Sequence, residues 1–329
     1  MSAFISLWYL LGQVVKNLFT SPLFLIIYIL LLILIIWQYF RLTSEKTDES
    51  GFSSRLIFLI REPSPILKGI MSAFCGFLGG IAGSFLLIII GIDLASIGIV
   101  QLWIAAVILM LINPRYLCFA YAGGAVALIS LITGYPDINI PHLMALVAVL
   151  HLVESMLIYF NGAFGPVSVK VNKEGILREG FNLQKFWPLP LMVLMSTGYN
   201  QFSWVSLMPD WWPLLPGYAG DFARSLDYQI LPVLAVLGYG EITTVDSPQE
   251  RCKKSSKRLL VFSLLLLSFS FLAAKWQFFM PVLVFFSPLG HEFIIWLGMK
   301  EEGDKVNFLD YRECSLFVNL MNRLKAKKF

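Results

Sequence analysis

The sequence predicts an all-α fold, a polytopic bundle of transmembrane helices, on three observations. Of its 329 residues 57% are hydrophobic and only 14% charged, against about 25% charged in ordinary soluble domains. Apolar runs recur along the chain, each near the roughly 20 residues that cross about 30 Å of hydrocarbon. Lys and Arg gather in alternate connections, the signature of a multi-pass protein with one positive face. The count is about nine spans, with a small β-hairpin-like cytoplasmic insert.

In chain order, residues 1–21 read as an interfacial segment, because Gly12, Gln13, Lys16 and Asn17 interrupt an otherwise apolar stretch. Residues 22–297 form the membrane domain. Its first span is Pro22–Phe40, followed by a charged loop over 41–65. Spans two to five are Ile66–Gly91, Leu94–Ile112, Tyr116–Gly134 and Ile138–Phe160, separated by the polar turns Asn113-Pro114-Arg115 and Tyr135-Pro136-Asp137. The insert at 161–186 alternates Val167, Val169 and Val171 before Asn172-Lys173-Glu174-Gly175, a hairpin pattern. A sixth span, Trp187–Val205, carries Pro188, Pro190 and the polar run Ser196 to Gln201. The loop at 206–225, rich in Trp, Pro and Gly, suits the outer headgroup level. Leu226–Gly240 is a short seventh span, 241–258 a basic cytoplasmic loop, and Leu259–Trp276 with Phe278–Leu297 the final pair. Residues 298–329 are a basic cytoplasmic tail in which Leu316, Phe317, Leu320, Met321 and Leu324 share one helical face.

Charge fixes the orientation. The basic residues fall at 41–65, 161–186, 241–258 and in the tail, all on one side of nine spans, which places the C-terminus in the cytoplasm and the N-terminal segment outside. A net charge of +4 dispersed in this way is a topology signal and excludes a nucleic-acid footprint. Cys75, Cys118, Cys252 and Cys314 show no CxxC or zinc-ligand spacing and read as free thiols.

Four sets of residues invite function. His151 and Glu154 share a helical face at mid-span, where ionisable groups are costly unless paired or facing a cavity. They are either a structural pair or part of a proton or substrate path. A metal site would need further ligands from other helices, and none is legible. His291 and Glu292 form a second polar pair, but neighbours on a helix diverge by about 100° and make no single chelating face. The next residues, Phe293-Ile294-Ile295, lack the second His of a zinc protease. Tyr199, Asn200 and Gln201 could line a cavity if the sixth helix unwinds. Ser72, Gly76, Gly80 and Ser84 give a small-residue stripe for helix packing, within the chain or across a homodimer; Ala120, Gly123, Gly124 and Ala127 repeat it. No catalytic constellation, metal set or cofactor motif emerges.

Several segments occur in a telling order: Ser21-Pro22-Leu23-Phe24, Asn113-Pro114-Arg115-Tyr116, His151-Leu152-Val153-Glu154-Ser155 leading to Asn161-Gly162, the run Phe181 to Pro190, Pro209-Asp210-Trp211-Trp212-Pro213, and Phe286-Ser287-Pro288-Leu289-Gly290-His291-Glu292. In that order the chain resembles the membrane region of the MinJ-like, PDZ-containing topology proteins of Gram-positive cell division, over most of residues 20–297. The resemblance implies a non-enzymatic membrane scaffold whose partners are the bilayer and division or sporulation proteins. It supplies no catalytic residues. Residues 298–329 are too few for a PDZ module, since domains run to about 50 residues or more, so no peptide groove is carried over. The alternative from the residues alone is a secondary transporter using His151 and Glu154.

Overall fold

The computed structural model describes residues 22–44, 63–173, 176–199, 208–215 and 226–326, together with Gly12, Lys16 and Thr20, and beyond residue 303 the backbone alone. The interfacial segment 1–21 and most of the loop at 41–65 therefore lie outside the described residues. In chain order come helices α1 (Pro22–Ser44), α2 (Pro65–Ile90), α3 (Ile99–Ile112), α4 (Phe119–Thr133) and α5 (Ile140–Leu157), the last extended by a π-helical turn to Gly162. Strands β1 (Val167–Lys173), β2 (Ile176–Asn182), β3 (Lys185–Tyr199), β4 (Leu226–Tyr239) and β5 (Ile242–Thr243) follow. Helices α6 (Pro248–Lys275) and α7 (Met280–Ala326) end the chain.

Among the described residues five helices, α1, α2, α5, α6 and α7, are long and apolar enough to cross a membrane. The expected nine spans are thus corrected, for two physical reasons. Helices α3 and α4 have 14 and 15 residues, about 21–23 Å of rise, which falls short of the hydrocarbon thickness. The sixth and seventh spans are the strands β3 and β4, paired antiparallel from Lys185↔Tyr239 to Tyr199↔Leu226. The apolar runs misled because hydropathy alone does not separate a buried strand from a helix. Pro188 and Pro190 would each remove an interior helix hydrogen bond; in a strand, two residues apart, both nitrogens face one edge.

That edge lies against α2, and the match is geometric. Four residues of helix rise about 6 Å; two residues of strand rise about 6.6 Å. Ser72, Gly76, Gly80 and Ser84 therefore keep step with Phe186, Pro188, Pro190 and Met192. A Cβ on Gly76 would sit 2.4 Å from the Pro188 carbonyl oxygen, and one on Gly80 2.5 Å from that of Pro190. Three residues of this edge donate to acceptors outside the strand pair. Phe186 N–H donates to the Tyr39 hydroxyl (3.4 Å), which bonds Ser72 Oγ (2.9 Å). The two prolines have no N–H. Met192 N–H donates to Ser84 Oγ (2.8 Å), whose own proton goes to Gly80 O (2.6 Å). Ser196 N–H and Oγ–H donate to the two carboxylate oxygens of Asp93 at 2.9 and 2.7 Å. The Ser/Gly stripe read as a helix-packing face is thus a strand-docking face.

The rest of the fold assembles around this brace. Residues 208–215 fold over the C-terminal end of α2, where Trp212 Nε1 and Leu215 N donate to the carbonyls of Ile88 and Ile90 (2.8 and 3.0 Å). Trp212 is buried while Trp211 is exposed, so one ring of the aromatic loop plugs the interior and its neighbour meets the surroundings. Helix α5 is the axis of the bundle: 72% of its apolar window is buried, against 17% for α1 and α7, as expected of a helix apolar on all sides. The second small-residue stripe is also used internally. Gly124 packs on Pro288 of α7, Gly123 on Val147 and Met144 of α5, and Ser287 donates to Ala120 O (2.9 Å). The predicted insert hairpin is present as β1–β2, to which β5 adds a third antiparallel strand. The basic loop at 241–258 is instead mostly the start of α6, opened by a capping box of Ser247 and Glu250. The tail continues the backbone of α7 to Ala326.

Replacing Gly76 or Gly80 by Val forces the side chain into a backbone carbonyl. Each variant is expected to lose about 1–3 kcal/mol of stability and to unfold at lower temperature in detergent, whereas Gly303→Ala, with nothing within 4 Å, leaves the melting temperature unchanged.

Candidate functional site

Two polar assemblies stand out in this apolar frame. The first lies inside the helix bundle, where the turn between α3 and α4 meets α5 and α7. Asn113 caps the turn by accepting from Arg115 N–H (3.0 Å), and Cys118 caps α4, its sulfur accepting from Ala120 N–H (3.4 Å). This places Cys118 Sγ 3.1 Å from His151 Nε2 on α5 and 3.5 Å from His291 Nε2 on α7. The two imidazoles meet edge to face with centroids 5.2 Å apart and Phe262 of α6 packs against both. His151 Nδ1 bonds the Val147 carbonyl at 2.7 Å. A carbonyl only accepts, so Nδ1 carries the proton of a neutral ring and Nε2 presents its lone pair to the sulfur.

Beside this trio, Glu292 joins α7 to the α3–α4 turn. Its Oε1 accepts from Arg115 Nη2 (2.5 Å) and its Oε2 from the Tyr121 hydroxyl (2.6 Å). The two residues of the His291–Glu292 pair therefore serve different partners, as their angular separation on the helix requires. His151 and Glu154 do share a face of α5, but no hydrogen bond joins them among the described contacts. His151 is spent on Val147 and Cys118, and Glu154, one turn further along the helix, is half-buried. Sequence reasoning missed Cys118, Arg115 and Tyr121. Their spacing of three residues across the turn was the available signal, hidden because a polar turn was expected to lie at the membrane surface.

Tyr199 falls at the end of β3, paired with Leu226, and the polar run from Ser196 is strand, not unwound helix. Asn200 and Gln201 lie outside the described residues.

The second assembly ties the first turns of α6 to α7 and β5. Arg251, buried on its helix, reaches Glu241, Glu302 (3.4 Å) and the Gly298 carbonyl (3.0 Å). Glu241 also accepts from the Tyr239 and Ser255 hydroxyls (2.7 and 2.5 Å). Glu302 also accepts from Thr244 N–H and Oγ1 (2.6 and 2.9 Å). Lys254 bridges Asp246 and Glu301, both at 2.8 Å, and Arg258 also pairs with Glu301. The basic residues read as a free cytoplasmic loop are therefore largely matched by acids within the chain. At the start of β3, buried Lys185 donates to the Phe164 carbonyl and faces the rings of Tyr39 and Phe164.

No protein-family model, curated protein or solved structure matches this chain.

Truncating Arg251 to Met leaves Glu241 and Glu302 facing each other without their shared cation. The loss is expected at about 3–5 kcal/mol, and Arg251→Lys, which cannot span both carboxylates, rescues little of it; thermal unfolding in detergent reads both.

Proposed function

We propose that this chain is a non-enzymatic scaffold or topology factor of a bacterial cytoplasmic membrane. Helices α1, α2, α5, α6 and α7 cross the bilayer, and the β3–β4 hairpin crosses beside α2. On this reading α3 and α4 enter from the outer face and return to it, with their polar turn at depth. Five helices and two strands make an odd number of crossings. The tail therefore lies on the same side as the basic segments, the cytoplasm. There, the β1–β2–β5 sheet and the ion-paired ends of α6 and α7 form the surface offered to partners and anionic headgroups.

The observation that supports this reading over transport is that the polar groups set among the helices have hydrogen-bond partners within the chain. Asp93 is held by Ser196 and Ala95. Glu292 is held by Arg115 and Tyr121, and Ser287 by Ala120. A carrier exchanges such contacts during its cycle, whereas a rigid frame keeps them. The polar run that supported a transporter belongs to a strand already engaged with Asp93. The nature of the partners, division or sporulation proteins, follows the resemblance to MinJ-like proteins.

In-cell crosslinking with mass spectrometry on tagged full-length protein is the test. Specific enrichment of division, sporulation or wall-synthesis proteins, retained in Glu154→Gln at equal abundance, is the expected outcome. The scaffold reading is overturned if no protein is enriched over an unrelated membrane protein, or if proteoliposomes show a flux that Glu154→Gln abolishes.

A further inference from the structure

We propose that Cys118, His151 and His291 bind one thiophilic transition-metal ion of the zinc class inside the helix bundle, pinning the α3–α4 turn to α5 and α7. This inference is independent of the scaffold reading.

The donor set is the first argument. One thiol and two imidazoles are the soft and intermediate ligands that select zinc-class ions over Mg²⁺ or Ca²⁺, which take oxygen. Their ligand atoms all lie within 4.8 Å of one another. In tetrahedral zinc geometry, with Zn–S about 2.3 Å and Zn–N about 2.0–2.1 Å, sulfur and nitrogen stand about 3.6 Å apart. The observed separations of 3.1 and 3.5 Å need only a slight opening.

Ring orientation is the second argument. His151 is already in the tautomer a metal requires, with Nδ1–H on the Val147 carbonyl and Nε2 bare; such a second-shell bond is the usual support of a metal-bound imidazole. His291 Nδ1 is buried with no hydrogen-bond partner among the described residues. Edge-to-face contacts with Tyr121, His151 and Phe262 hold the ring so that Nε2 faces the Cys118 sulfur. A neutral thiol has one proton and cannot donate to both imidazoles at once; an ion takes a lone pair from all three groups.

Charge balance is the third. Binding displaces the thiol proton to solvent and leaves a dication beside one thiolate. The residual positive charge would be costly at this depth unless countered. Glu154, one turn along α5 from His151 on the same helical face, offers a carboxylate for the second negative charge, since a nearby dication favours its ionised form. Phe262 closes one side of the trio, with ring centroids 5.4 and 5.6 Å from the imidazoles. With three protein ligands, a fourth coordination position is left for water.

The test uses the purified full chain in detergent, stripped with chelator and titrated with Zn²⁺ or Co²⁺. The expected result is one tightly held ion per chain after desalting. The Co²⁺ form should show a thiolate charge-transfer band and the visible bands of tetrahedral cobalt. Cys118→Ser removes the charge-transfer band. His151→Ala and His291→Ala weaken binding by more than about tenfold, the least that losing even an outer-shell partner costs. Cys75→Ser and Cys252→Ser retain both signals. X-ray absorption on the unmutated zinc protein needs no variant to fold and should give one sulfur and two imidazole nitrogens. Absence of a retained ion, a shell of oxygen and nitrogen without sulfur, or a charge-transfer band that survives Cys118→Ser overturns the proposal.

Discussion

Everything else in the fold rests on the contact between α2 and β3. An isolated hairpin of this length in hydrocarbon would expose a row of unpaired donors, each costing several kcal/mol. The chain avoids this by making the helix a surrogate for a neighbouring strand. Gly76 and Gly80 let the Pro188 and Pro190 carbonyls come to the helix surface, the prolines delete two donors, and Ser84, Asp93 and Tyr39 accept from Met192, Ser196 and Phe186. The near-equality of four helical residues and two strand residues in rise keeps the register over several repeats. A mismatch of about half an ångström per repeat would accumulate in a longer contact, and the match ends where α2 ends, at Gly91, with Asp93 taking over beyond it.

With β3 fixed on one side of α2, the other helices organise around α5, and the polar centre falls where short helices end inside a bundle of longer ones. Helices α3 and α4 stop before the far side of their neighbours, so their connecting turn must find partners among helices rather than water. Arg115 finds Glu292, Tyr121 finds the same carboxylate, and Cys118 finds two imidazoles. At the sheet end Arg251 meets two carboxylates and a carbonyl through its terminal nitrogens, the pairing that a buried guanidinium requires, while its Nε is buried with no partner among the described residues.

Much of this was legible in residues alone. The apolar runs identified the five long helices, the alternating valines identified β1, and the mid-span position of His151 and Glu154 pointed to the right helix for a polar centre. What was not legible had physical causes. Leu, Met and Val fill strands and helices alike when both faces are buried, so β3 and β4 passed for spans; Pro188 and Pro190, two apart, were the clue, read as interruptions and not as edge markers. The small-residue stripe was recognised, but a stripe does not say what it packs against. The ligand trio was invisible because its members come from three elements separated by up to 173 residues, and only the premature end of α3 and α4 brings them together.

The docking of β3 on α2 also constrains how the protein is made. Transmembrane helices satisfy their own backbone and can enter a bilayer one at a time; a strand pair cannot. In this chain the acceptors that receive β3, Tyr39, Ser84 and Asp93, all precede it in sequence. Synthesis from the N-terminus therefore lays down the receiving surface before the hairpin leaves the ribosome. A circular permutation that moved α1 and α2 to the end of the chain would present the apolar hairpin before the surface that receives it.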